Sequence, residues 1–219
     1  WRIVNVAVTL GSNKARQAAR LAELTQACAH LGFELTVAHE TGLEGINRKT
    51  RDGNPAAWRD AVSCVAALLS AYRPAAVVMP HERDANSTHQ GTSLLVRDAL
   101  AGVGPAVPCR VVETEFWAPM ASPNLLAEIP APLVAELIAA LSFHVGEVQR
   151  NPYHLSLPAW MMDNVRRGGE VVGGQGGAAP EFPYATLYRV QQWDGRVLSP
   201  AWETNRILTA QNDPASIAR

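Results

Sequence analysis

The chain has 219 residues, 47% of them apolar and 18% charged, which suits one sizeable core in a single α/β domain with at most a small appendage and excludes intrinsic disorder. Nineteen basic against twenty acidic residues leave a net charge of −1, so the broad cationic field of a nucleic-acid binder is missing, and no apolar run of about 18 residues marks a membrane span. Cys28, Cys64 and Cys109 are odd in number and widely spaced, which argues against a disulfide scaffold or a cysteine zinc site and favours a reducing, cytoplasmic setting.

The chain opens at Trp1 without an initiator methionine or a lead-in, and it reads as a fragment or a processed product. Residues 2–10 are a β-branched apolar run, expected as a buried strand ending at Gly11-Ser12. From Asn13 the period turns helical, with Leu21, Leu24, Ala27, Cys28 and Leu31 on one stripe and Gly32 as the stop. Residues 33–38 read as a second strand and 39–55 as a polar loop or lid. Ala61, Val62, Val65, Leu68, Leu69 and Tyr72 form the next helical face, closed by Pro74. Residues 75–80 are a third strand, feeding the polar segment 81–90 and a helix that buries Leu95, Val96, Ala99, Leu100 and Val103.

Residues 109–116 read as a fourth strand. Leu133, Leu137, Leu141 and Val148 mark one long helix, and 157–166 a last helical stretch. A glycine-rich loop over 168–177 precedes a final strand, 182–190, expected at the sheet edge. This alternation predicts an α/β fold with a mostly parallel sheet and helices on both faces. Chemistry in such sheets sits beyond the carboxyl ends of the strands, here at 11–13, 81–89 and 113–124.

The most informative segment is 77–100, VVMPHERDANSTHQGTSLLVRDAL. A buried strand runs into His81, Glu82, Asp84, Asn86 and His89, and Asn86 or Ser87 can cap the following helix, placing His89 in its first turn. The plain alternative is a polar loop with a helix cap and solvated histidines. His144 falls on the stripe of Leu137 and Leu141, as suits a core histidine as much as an active-site one. His30, His39 and His154 read as surface or structural residues. Residues 174–179 satisfy GxGxxA, but Pro180 and Pro183 follow where a helix is required, so a dinucleotide site is excluded. Residues 9–12 form a strand-to-helix turn that either holds a phosphate or is a plain turn.

PHERDANSTHQGTSLLVRDAL resembles the second signature of the LmbE-like, or PIG-L, N-deacetylases, with Asp84, Asn86 and His89 on the motif and Thr88 where Asp is usual. Residues 8–11 with Arg20 and Glu23, Glu115-Phe116-Trp117 with Pro119 and Pro123-Asn124, and His144 with Pro152-Tyr153 resemble further family blocks in order. Thr186 stands where the family often has Glu. The resemblance implies a Rossmann-like fold and a zinc-dependent hydrolase that removes acetyl from an N-acetylglucosamine-containing small molecule. By that resemblance His89 is a metal ligand, Asp84, Asn86 and His144 are catalytic, and Arg20 and Glu115 contact substrate. Within these roles, Asp84 suits orientation, and Asn86 or His144 suits hydrogen bonding to an oxyanion.

The family's His-Pro-Asp-Asp-Glu string, which carries two zinc ligands and the general base, is not in this sequence. Residues 1–198 are therefore expected to be a deacetylase domain without its first strand and first metal motif, inactive alone and with an incomplete zinc site. Residues 199–219 are expected to be a peripheral tail. The expected partner is a small N-acetyl sugar conjugate, with no nucleic acid, no membrane and self-assembly into a homo-oligomer left open. The competing expectation is a catalytically inert α/β module that holds a sugar or nucleotide.

Overall fold

A computed structural model describes residues 1–218. In chain order the elements are β1 (Val4–Ala7), α1 (Lys14–Leu31), β2 (Glu34–Val37), α2 (Arg48–Gly53), α3 (Pro55–Tyr72), β3 (Ala76–Pro80) and α4 (Ser87–Val103). Then follow β4 (Cys109–Thr114), β5 (Leu125–Glu128), α5 (Ala131–Ser142), α6 (Val145–Arg150), α7 (Tyr153–Val171), β6 (Ala185–Trp193), β7 (Leu198–Pro200) and β8 (Arg206–Leu208). Among the described residues no helix is long and apolar enough to cross a membrane.

Local chemistry sets the helix ends. Asn13 caps α1 by accepting from the Ala15 amide, and Gly32 ends it at φ 69°, a left-handed turn that costs glycine least. Asn54 caps α3 with Pro55 in its first turn, and Pro74, lacking an N–H, follows its last residues.

The α/β class is Rossmann-like, with β1–β2, β3–β4 and β5–β8 paired in parallel. β6 runs antiparallel to β4, β5 and β7. The larger sheet has the order β3-β4-β6-β5-β8, whereas β1 and β2 form a separate pair. Among the described residues, β1 therefore has no strand on its side away from β2, and β3 none on its side away from β4. Val78, mid-strand in β3, is 64% exposed. α3 ties the two sheets together: Tyr72 shares a 2.7 Å hydrogen bond with Thr36 of β2, and the Cys64 thiol donates to the Ala38 carbonyl. Its other face joins Leu95, Ala99 and Leu100 of α4 with Met79 and Val111 in the main core.

Several expectations are corrected. The supposed lid contains α2, capped by Asn47 and fixed to α4 by the Arg51–Asp98 ion pair at 2.8 Å. Gly91 of α4 lets this segment approach, because a Cβ there would strike the Ile46 backbone. The long helix breaks at Phe143–His144 into α5 and α6. Gly146 passes beneath the Arg16 side chain of α1 at that corner, a tertiary constraint that periodicity does not carry. α7 starts earlier and runs through the first part of the glycine-rich stretch. β6 is central, not an edge, because its Leu187 and Val190 are fully buried between neighbours on both sides. The tail adds β7 and β8 to the sheet, and Trp202, Leu208 and Ile217 pack on Val112, Leu125 and Val190.

Candidate active site at the end of β3

Beyond Pro80 the chain is fastened before it reaches α4. The His81 amide donates to the Thr114 carbonyl at the end of β4, and the buried His81 ring lies 3.0 Å from the Ala118 carbonyl. The Gln90 side chain donates through Nε2 back to the Asp84 backbone carbonyl at 2.7 Å. These bonds hold Asp84 at 1% exposure with its carboxylate pointing into a ring of donors.

Three groups meet that carboxylate. The Asn86 amide lies at 2.8 Å, the Trp117 amide at 2.9 Å and His89 Nδ1 at 3.1 Å. Asn86 Oδ1 is committed to the helix cap, accepting from the amides of Thr88 and His89 at 2.8 and 3.3 Å. With Nδ1–H given to a carboxylate, the imidazole presents a lone pair on Nε2, the geometry in which histidine serves as a ligand or base. The His89 side chain is 26% exposed, and its ring packs 4.8 Å from that of Phe116. Phe116 and Trp117 are both half exposed, and the Trp117 ring lies edge-on to Tyr153 at 6.0 Å.

The structure thus brings together Asp84, Asn86 and His89 from the expected set. Glu115 is buried, held bidentately by Arg167 at 2.5 and 3.1 Å, and accepts from the Met120 amide, so both carboxylate oxygens are committed within the protein. These bonds join the loop after β4 to α7. Arg20 and His144 stand at a different corner, where α1 meets α6. Arg20 donates to the Leu10 carbonyl and to Glu147, and half-buried His144 heads α6.

Reasoning from sequence missed Arg167. Arg167 carried no signal, since one arginine in a helix reads as solvated. Cys109 has no place in the chemistry, because burial pushes its thiol up to about 11. Among the described residues, no three histidine, cysteine, aspartate or glutamate side chains gather as a metal cage.

No family model and no curated protein sequence matches the chain. Solved structures do match. GalB, the 4-carboxy-2-hydroxymuconate hydratase of Pseudomonas putida, superposes with a TM-score of 0.62 at 16% identity, over 86% of this chain and 83% of that one. N,N'-diacetylchitobiose deacetylase from Pyrococcus horikoshii gives 0.58 at 12% identity, covering 86% and 72%. The zinc-inhibited form of teicoplanin deacetylase Orf2 gives 0.57 at 16% identity, covering 92% and 89%. The chain has the fold of the LmbE-type deacetylases. Because solved structures of this fold include a hydratase beside deacetylases, the fold does not settle the reaction.

Proposed function

We propose that these residues are the larger part of a zinc-dependent hydrolase that removes acetyl from an N-acetylglucosamine-containing small molecule. The observation that carries this reading is the buried Asp84 carboxylate behind His89 at the end of β3. A carboxylate behind a ligating imidazole is the usual means of fixing its tautomer and orientation. Solved structures of this fold bear the names of deacetylases, and one of them is a zinc-inhibited form.

The donor chemistry suits zinc, and His89 would hold it through Nε2. A zinc ion there would supply Lewis acidity to the acetyl carbonyl and lower the pKa of its water. Asp84 holds His89 in one tautomer. Asn86 keeps its cap through Oδ1 and has its amide NH₂ to donate toward developing negative charge. The half-exposed rings of Phe116 and Trp117 offer apolar faces to a sugar beside His89. The remaining ligands would come with a further strand. The unpaired edges of β1 and β3 and the exposure of Val78 support a strand lying between them, supplied by sequence outside these residues.

The test is acetate release from N,N'-diacetylchitobiose and other N-acetylglucosamine conjugates by the intact protein that contains these residues, with metal analysis alongside. His89→Ala is expected to abolish zinc retention and acetate release and to leave the fold intact. Full zinc occupancy with normal turnover in that variant would overturn the reading. Sugar binding without acetate release by the wild-type protein would favour an inert binding module.

A further inference from the structure

We infer that the open cavity at the corner of α1 and α6 is a binding site for a small oxyanion, the phosphate or carboxylate of a small molecule. The cavity measures about 260 Å³ and is lined by Asn13, Arg16, Arg20, Gly146, Glu147 and Arg150. Three guanidinium groups border it. The carboxylates paired with them number two: Glu23 lies 3.6 Å from Arg16, and Glu147 takes both Arg20, at 3.2 Å, and Arg150. Three positive against two negative charges leave one guanidinium charge without a counterion, and an oxyanion entering the cavity would supply it. Guanidinium groups bind phosphate and carboxylate oxygens through paired N–H donors, so the chemistry matches the lining.

Two further features show that the arginines are placed there by the fold. A Cβ on Gly146 would collide with the Arg16 guanidinium, and a Cβ on Gly11, whose φ is +87°, with that of Arg20. Both glycines thus make room for a cation. Arg20 is also anchored to the Leu10 carbonyl at 3.4 Å, and Gln17 donates to the Gly11 carbonyl at 2.7 Å, fixing the turn on which Arg20 lies. The eighteen-residue α1 begins at this cavity, with Asn13 in its wall and no acidic residue in its first turn, so its N-terminal field adds to that of the arginines.

Glu147 is the internal competitor. Burial alone would raise its carboxyl, but hydrogen bonds and charge from Arg150 and Arg20 outweigh it and hold the group below its ordinary value. It therefore stays ionised and engages two of the three cations near neutral pH. An arriving anion shares them with it.

The segment after α6 is linked to the end of β3. Asn151, directly after α6, donates to the Tyr153 hydroxyl at 3.1 Å; the Tyr153 ring meets Trp117, whose amide holds Asp84. Anion binding itself does not depend on the hydrolytic reading.

Calorimetric titration of the chain with inorganic phosphate, and separately with malonate, tests the site, with circular dichroism confirming that each variant is folded. Saturable binding of either ion is expected, and the tighter of the two names the anion class. Arg16→Gln and Arg150→Gln should each weaken it about tenfold, the loss of one charged hydrogen bond. Glu147→Gln, which removes the competitor, should tighten it. Binding that is absent, or that none of the three substitutions alters, would overturn the proposal.

Discussion

The Asp84 carboxylate meets three donors within 3.1 Å, and two of them are backbone amides. Those two tie Asp84 to Asn86 and Trp117, so its orientation toward His89 is built into the backbone of two loops. Asp84→Asn keeps the shape but can offer an NH₂ where a carboxylate oxygen stood. In the intact protein, zinc affinity measured against a competing chelator should fall about 10–100-fold, the usual result of losing a carboxylate behind a ligating histidine. An unchanged affinity would show that the Asp84–His89 bond merely fastens the start of α4. Trp117 offers a different readout. Trp117→Ala keeps the amide that Asp84 uses and removes the exposed ring, so the KM for a sugar conjugate should rise while zinc content stays constant. A fall in kcat with KM unchanged would instead place the ring in the chemistry.

At the level of elements, α4 is held by buried charge as much as by its apolar stripe. Arg97 of α4 donates to Glu113 of β4 at 2.6 Å, and Glu113 is 2% exposed. Arg97→Leu strands that carboxylate and should cost about 3–5 kcal/mol in urea unfolding, the range for breaking one side of a buried pair. Asp98 on the same helix takes Arg51 from α2 and the Trp58 indole from α3, both at 2.8 Å. Burial alone would raise its carboxyl, but the bonds from Arg51 and Trp58 prevail and hold it below its ordinary 3.8. A folded-state pKa below the unfolded one means that the stabilisation is full above about pH 4 and fades as pH falls through the lower, folded value. Asp98→Asn should therefore cost about 1 kcal/mol at pH 7, after allowance for the exposure of the pair, and the gap to wild type should close toward pH 2. A gap that stays constant with pH would show that the carboxylate charge is not what joins these helices.

The same elements show which parts of the fold are legible in sequence. The stripes Leu95-Val96-Ala99 and Ala61-Val65-Leu69 mark α4 and α3 because a buried helical face must repeat every 3.6 residues. Asn86 and His89 are legible because a cap is a local contact. Glu115 and Arg167 are 52 residues apart, and nothing local to either announces the pair. β8 is three residues long, too short for alternation to register, and only its partner β5 defines it. The break at His144 is likewise set from outside, by α1.

For the whole molecule, the position of β6 has a consequence in time. Residues 185–193 insert between β4, ending at Thr114, and β5, ending at Glu128, so the middle of the larger sheet leaves the ribosome after both of the strands it joins. Until it arrives, β4 and β5 have no common neighbour, and the apolar residues Val112, Leu125 and Leu126 lack the strand that covers them. Chains halted near residue 184 should accordingly stay protease-sensitive and show no cooperative melt, whereas chains that extend past Trp193 should acquire both protection and a melting transition. At synthesis rates of about 5–20 residues per second the half-made sheet stands open for several seconds. Any chaperone that shields this chain should therefore release it only once β6 is in place.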